Sequence, residues 1–325
     1  LSRDAPVQLD PREARRVVFD AAEALGFGLV GVTDSRASDH EEHVRAWVAD
    51  GQHGEMGYLA ENLDVRLDPG RLLSGCRSIV CVADAYRDDV EPTEAGKTAR
   101  YAGGRDYHRV MKRKLHALAD GLRERYPGAD FKTCVDTAPL LEREHAARAG
   151  LGWIGKHTLL IHPRHGSWLL LGCLLTTLEV ETSEAAGYPG ATVAPVDHCG
   201  TCTACIDACP TGCISPYAVD GSRCISYQTI EKRSPFTPEE ESSLAGNLAG
   251  CDICQEVCPH NRSEQRVALP VRADYEPRGH ARGLDPSKVV SWDESDRLRH
   301  LSGTALMRLT LGMLHRNARA LLDGG

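Results

Sequence analysis

Cys199-Gly-Thr-Cys202-Thr-Ala-Cys205-Ile-Asp-Ala-Cys209-Pro210 and, further along, Cys251-Asp-Ile-Cys254-Gln-Glu-Val-Cys258-Pro259 are the two stretches on which the reading of this chain turns. Each closes on Cys-Pro, and Cys213 and Cys224 lie between them. This is the ligand spacing of a chain that wraps two 4Fe-4S clusters, in which the cysteine before each proline ligates the other cluster. The runs therefore interlock. Cys199, Cys202, Cys205 and Cys258 are assigned to one cluster, and Cys209, Cys251 and Cys254 to three corners of the second. Either Cys213 or Cys224 supplies the fourth corner. Spacing alone does not choose, although Cys213, four residues past Cys209, sits close to the first turn and favours Cys224.

Two other uses of cysteine are weaker. Disulfide frameworks belong to small secreted chains, whereas this one has 325 residues, thirteen cysteines and no leader of the charged, apolar and cleavable kind. Structural zinc sites separate two C-x2-C pairs and do not pack four thiolates into one short run.

Apolar residues make up 42% of the chain and charged residues 26%, the balance of an ordinary globular protein with room for two domains. The longest apolar run, Trp168 to Leu175, is far below the ~18 residues that span a bilayer. A cytoplasmic location, no membrane partner and a monomeric state are expected. The net charge of -8 opposes general nucleic-acid binding. Between Lys97 and Lys114, however, seven Lys or Arg stand against the single acid Asp106. The plain reading of that cluster is a solvated helix face.

Asp10-Pro11-x-Glu13 opens a helix that Gly26 stops. Strands are expected at Phe27 to Val32, Ser78 to Ala85 and Asp130 to Val135, with an amphipathic helix from Tyr107 to Arg125. A further helix is expected from Thr137 to Gly150, then a hairpin of Thr158 to His162 and Ser167 to Leu178 turned at Pro163 to Gly166. From Glu181 to Asp197 the composition shifts to that of a linker. A helical tail from Gly303 to Leu322 offers Leu306, Leu309, Met313 and Leu314 for packing. The fold class expected is α+β: a mixed α/β domain over 1–190, a bacterial two-cluster ferredoxin-like domain over 191–265, and a short helical C-terminal segment over 266–325 packed on the body.

Some motifs mislead. Gly150-x4-Gly155-Lys156 and Gly150-x-Gly152-x-x-Gly155 look like phosphate and dinucleotide fingerprints. They follow a helix and lead into a strand, the reverse of what either needs, and His157 stands where the first requires Ser or Thr. A tight turn serving packing, or close approach of a bulky ligand, is the better reading. Asp106-x-His108 lacks the glycine that completes a cobalt-ligating histidine signature, since Met111 stands there. Asp136 by itself reads as a helix cap before Pro139.

The stretch Asp136-Thr-Ala-Pro-Leu-Leu-Glu142-Arg143-Glu144, followed by Ala149-Gly-Leu-Gly-Trp153-Ile-Gly-Lys156, resembles the signature of the epoxyqueuosine reductase family. Gly54-Glu-Met56-Gly-Tyr58-Leu59, Tyr101-Ala-x-Gly104-Arg105-Asp106-Tyr107-His108, Cys209-Pro-Thr-Gly, Arg223-Cys224-Ile-Ser-Tyr227-x-Thr-Ile-Glu231, Gly250-Cys251-Asp-x-Cys254-Gln-x-Val-Cys258-Pro-x-Asn261 and Leu314-x-Arg316-Asn317-Ala318 fit the same family in order along nearly the whole chain. The resemblance implies reduction of epoxyqueuosine to queuosine at the tRNA wobble position, with cobalamin and two 4Fe-4S clusters as cofactors. It makes the first domain the cobalamin-binding one, selects Cys224 as the missing ligand and leaves Cys213 a bystander. His157 departs from the family's usual asparagine, and the chain reads as the short form without appended helical repeats.

Epoxide removal needs two electrons and a proton donor. The clusters and cobalt answer the first need. Asp136 is the expected catalytic donor, held protonated by desolvation. Arg100, Tyr101, Arg105, Tyr107, Asp136, Lys156 and His157 are the candidate cofactor contacts. The stretch from Arg105 to Lys114, with Arg143 and Arg148, is expected on the phosphates of an anticodon stem-loop, and an external donor supplies the electrons. Two alternatives are a cobalamin-dependent reductive dehalogenase-like enzyme and a non-catalytic ferredoxin-type electron-transfer module.

Overall fold

A computed structural model of the chain describes residues 10–86, 96–187, 197–262 and 266–323, apart from the side chain of Arg282. The expected boundary at 190/191 lies outside the described residues. Strand β1 (Leu29–Asp34), β2 (Ser78–Ala85), β3 (Phe131–Cys134) and β4 (Leu169–Thr176) form one antiparallel sheet in the order β1-β2-β4-β3. Every residue of β2 is buried, Ser78 and Asp84 included, as in a central strand covered on both faces. Its side chains alternate between two cores. Val80 and Val82 face helix α1 (Pro11–Ala24) and helix α2 (Tyr107–Arg125), whereas Ile79, Cys81 and Ala83 face helix α3 (Glu142–Arg148).

Local signals set the helix ends. Asp10 caps α1 through the Arg12 amide at 3.0 Å, with Pro11 in the first turn. Asp106 caps α2 through the His108 amide at 3.1 Å, and Pro127 follows its end. Packing holds α2 in place. Val110, Met111, Leu115, Leu118 and Leu122 are buried, each contributing roughly 1.5–3 kcal/mol.

Three expectations are corrected. The helix after Asp136 begins only at Glu142, because Pro139 holds the chain before it out of helical geometry. Leu160–Ile161 does not form a hairpin with Leu169–Thr176 but pairs with Trp153–Ile154; the longer, wholly apolar strand is drawn between β2 and β3, where both its faces are covered. The tail starts as a single 3-10 turn, Ala305–Arg308, before helix α5 (Leu311–Asp323).

Helix α4 (Ile225–Ile230) lies between the cysteine runs, and α5 packs beside it. Asn317, fully buried on α5, donates from Nδ2 to the carbonyls of Thr229 (2.9 Å) and Leu248 (2.8 Å), while Arg316 donates to those of Gln228, Lys232 and Ser234. The tail is thus bonded into the cysteine-bearing part. Asn247–Ala249 of that part runs parallel to Lys97–Thr98.

Lys114 stands inside the α/β part. Its ammonium lies 2.8 and 2.6 Å from the two oxygens of Asp84, 3.2 Å from the Gly26 carbonyl and 3.8 Å from the Phe27 ring centre, and Tyr275 donates to Asp84 at 3.1 Å. Lys114→Met would leave Asp84 an unpaired buried charge and should cost about 3–5 kcal/mol. Adding Asp84→Asn should recover much of that loss, read as the urea midpoint of both variants.

Candidate functional site

All thirteen cysteines are free thiols, which removes the disulfide reading. Folding brings the cysteines of each expected set together. Cys205 faces Cys199 and Cys202, and Cys258, from the second run, faces Cys199 and Cys205. Cys209 faces Cys251 and Cys254, and Cys224 faces Cys251. Cys254 also faces Cys205, so the two sets adjoin. Burial pushes the thiols of Cys251, Cys254 and Cys258 up, which disfavours bare thiolates and suits sulfurs that share their charge with a metal. Trp153 packs against the first set between His198 and His260, with ring centres at 4.7 and 4.8 Å.

Two basic residues expected at a cofactor are engaged with the cysteine runs. The Lys156 ammonium, on a residue 9% exposed, donates to the carbonyls of Gly200 (2.5 Å) and Cys202 (3.0 Å). The Arg100 amide donates to Asp252 Oδ2 at 2.7 Å, its guanidinium pairs with Glu256 and Asp252, and it lies over the Trp168 ring. The glycine turn that leads to Lys156 serves packing. Gly152 has φ of +146°, and a Cβ there would fall 2.2 Å from the Ile161 carbonyl oxygen.

Asp136 lies two residues past the end of β3. It is no helix cap: its φ is +50°, a conformation costly for a residue with a Cβ, and its amide donates to Glu142 Oε1 at 2.9 Å. Its side chain, 54% exposed, lies 2.9 Å from His108 Nε2 and within hydrogen bonding of Tyr107. His108 Nδ1 is 2.7 Å from Asp106 Oδ1. The imidazole therefore stands between two carboxylates. Tyr107 stacks on that ring at 4.0 Å and meets Tyr101 edge-on at 5.8 Å.

Charge follows from this geometry. Desolvation works against the imidazolium, yet Asp106 and Asp136 outweigh it and raise His108 to about 9. Desolvation alone would raise Asp136, but its bond and attraction to His108, with help from Tyr107 and Arg143, bring it below the usual carboxylate range. The expectation of an Asp136 held neutral is corrected accordingly. Burial first, then the Asp136 charge, pushes Glu142 up to about 8, so the neutral acid in this site is Glu142.

In the sequence His108 is set aside as a cobalt ligand, and Glu142 is not singled out as a chemical residue. The available signals were the Asp106-x-His108 step at a helix start and the acid six places after Asp136. The remaining candidates separate by burial. Arg105, Arg109 and Arg113 are exposed and paired only at the surface, with Asp274, Asp106 and Asp274. Arg143 is exposed and donates to the Thr158 carbonyl at 3.0 Å. Lys114 and Arg148 are buried, Arg148 on Glu144, so both are corrected out of a phosphate-binding face. His157 is 3% exposed; desolvation and then Arg143 lower it to about 4, and it is neutral.

Known proteins resemble this chain along most of its length. A family model described as Epoxyqueuosine reductase QueG, DUF1730, matches residues 66–137, and one described as a 4Fe-4S double cluster binding domain matches residues 198–261. The epoxyqueuosine reductase of Synechococcus sp. (strain CC9605) is 40% identical over 91% of this chain and 90% of its own length. The Bacillus subtilis epoxyqueuosine reductase, in a structure with its catalytic aspartate loop swung out of the active site, superposes with a TM-score of 0.84 at 25% identity, over 97% of this chain and 82% of the other. A crystal structure of an epoxyqueuosine reductase with an epoxyqueuosine-modified tRNA-Tyr stem loop superposes with a TM-score of 0.83 at 26% identity, over the same shares of the two chains. The chain, with its double 4Fe-4S cluster domain, belongs to the epoxyqueuosine reductase family.

Proposed function

We propose that this chain reduces the epoxide of epoxyqueuosine to the alkene of queuosine in the anticodon loop of a tRNA. The observation that carries the reading is the half-exposed Asp136, bonded to a cationic His108 beside a neutral Glu142, in one chain with two gathered sets of cysteines. The reaction consumes two electrons and two protons and releases the epoxide oxygen as water. Two groups in the site carry protons at neutral pH, the His108 imidazolium and the Glu142 carboxyl.

Cys199, Cys202, Cys205 and Cys258 would hold one 4Fe-4S cluster, and Cys209, Cys224, Cys251 and Cys254 the other. Cobalamin belongs to the same proposal. The fit is seen in unsatisfied donors. Arg66 Nε, near Asp136 and Glu142, and His157 Nε2, near Arg143, are buried without a hydrogen-bond partner. His157 Nδ1 accepts from the Leu159 amide at 3.2 Å, so Nε2 carries the proton. Two idle donors suit a ligand rich in amide and phosphate oxygens. Tyr101, Tyr107, Asp136, Arg66 and His157 would hold it, whereas Arg100 and Lys156 are already engaged. When bound, the clusters and the cobalt supply the electrons from an external reductant.

The chain's own part is proton delivery and positioning. As negative charge grows on the departing oxygen, Asp136, at the exposed end of the row, passes on the proton shared with His108 Nε2. Glu142 holds the Asp136 amide and so keeps the strained turn aimed outward. Exposed Arg105, Arg109, Arg113 and Arg143 would meet the anticodon-arm phosphates, since surface ion pairs worth about 0–1 kcal/mol are readily exchanged for phosphate. The stem-loop complex of a relative supports this substrate. An anaerobic assay on a stem-loop carrying epoxyqueuosine, with and without cobalamin, tests the reading; activity indifferent to cobalamin would refute that part of it.

Asp136→Asn should lower turnover by about 10²–10⁴-fold with cluster content unchanged, as loss of a proton-transfer group does. Glu142 at about 8 and His108 at about 9 are both raised, so their protons are in place at neutral pH and are lost as the pH rises. Turnover should hold below the lower value and fall through both, and a rate that stays flat above them would remove these groups from the chemistry. Glu142→Gln should abolish the lower step of that fall. Lys156→Met should loosen the first cysteine run, so that about half of the iron is lost on mild chelation while the second cluster stays.

A further inference from the structure

Cys213 belongs to neither cysteine run, yet its sulfur lies 3.5 Å from Cys209 Sγ and adjoins the thiol of Cys224. Cys251 stands near Cys224 as well, and Cys209 faces Cys251 and Cys254. Five sulfurs are therefore gathered where a 4Fe-4S cluster uses four. A buried free cysteine is ordinarily a small apolar side chain. Here it neighbours two of the sulfurs assigned to the second cluster.

The backbone holds Cys213 in that position. Gly212, with φ of +56°, turns the chain after Pro210-Thr211, and the Cys213 carbonyl accepts the Asp220 amide at 2.9 Å. Between those points runs a small hairpin, Ile214–Ser215 with Ala218–Val219, and Arg223 reaches back to the Thr211 carbonyl. The loop from 211 to 224 is thus closed on itself, with Cys213 at one end and Cys224 at the other. Cys213 is only 5% exposed, and Cys224 is partly exposed.

We propose that one corner of the second cluster can be taken by either of two thiolates, Cys224 or Cys213. This rests on the double-cluster reading. In the exchange the bond from iron to the Cys224 sulfur breaks and one to the Cys213 sulfur forms, while the Cys213 proton passes to Cys224. No electron moves. The second cluster can then lose a ligand without losing an iron, and the buried Cys213 guards the corner held by the more exposed thiol.

The test is iron and sulfide content, with electron paramagnetic resonance, on the full chain reconstituted anaerobically. The unaltered chain, Cys213→Ala and Cys224→Ala should each carry about eight irons, and only the double variant should fall towards seven or about four. Cys224→Ala should show a shifted reduced-state signal, and the double variant the oxidised-state signal of a three-iron cluster. Cys224→Val, whose side chain has no atom able to bind iron, repeats the measurement should the alanine variant fold poorly. If both single Cys224 variants lose iron as fully as the double one, the inference falls while the cluster reading stands. Loss of iron from Cys213→Ala with Cys224 intact would equally overturn it. An unaltered chain that takes up no iron would end both.

Discussion

Two largely covered cations, Lys156 and Arg100, fasten the cysteine runs to the α/β part of the molecule, and the rest of the site depends on that attachment. Lys156 reaches from its glycine turn onto the carbonyls of Gly200 and Cys202, and Arg100 binds Asp252 and Glu256 beside Cys251 and Cys254. Each cation is desolvated, so its bonds to carbonyl and carboxylate are stronger than they would be in water, and releasing it would strand a buried charge. Neutral hydrogen bonds complete the seam. Ser167 and Asn261 pair through 2.7 and 2.9 Å bonds, and Gln255 accepts from Ser167 and donates to Tyr86. These contacts fix the cysteine runs against the α/β part.

The second governing feature is the row Asp106, His108, Asp136. One imidazole between two carboxylates is cationic at neutral pH, and it makes the exposed carboxylate more acidic. A lone Asp136 raised by desolvation would need a dry cover to work as an acid. In the row a proton is instead shared between His108 and Asp136, with Glu142 as a neutral acid behind it. Strain at Asp136, with φ of +50°, keeps its carboxylate turned outward from the end of β3.

The basic stretch from Lys97 to Lys114 shows how tertiary structure sorts like residues into unlike roles. Lys114 is a core residue, Arg100 is a tie between the two parts, and Arg105, Arg109 and Arg113 form the solvent face of α2 and the turn before it. The last three can exchange partners with a polyanion, because their guanidinium groups are exposed.

Much was legible in the sequence because it is written at short range. Cysteine spacing gave the interlocking sets as an expectation, Asp10-Pro11 gave the start of α1, and predominantly apolar runs gave β2 and β4. The resemblance over nearly the whole chain gave the family. What the sequence left open was decided by contacts between distant residues. No spacing says that β4 lies between β2 and β3 instead of returning on Leu160–Ile161, that Lys156 and Arg100 hold cysteine loops, or that Cys213 stands between Cys209 and Cys224. The charge of Asp136 is of the same kind: identity made it a carboxylic acid, but burial would have raised its pKa and His108, brought up by the start of α2, lowers it. Local rules act over a few residues of chain, whereas charge, burial and ligand geometry depend on what the fold places within a few ångströms.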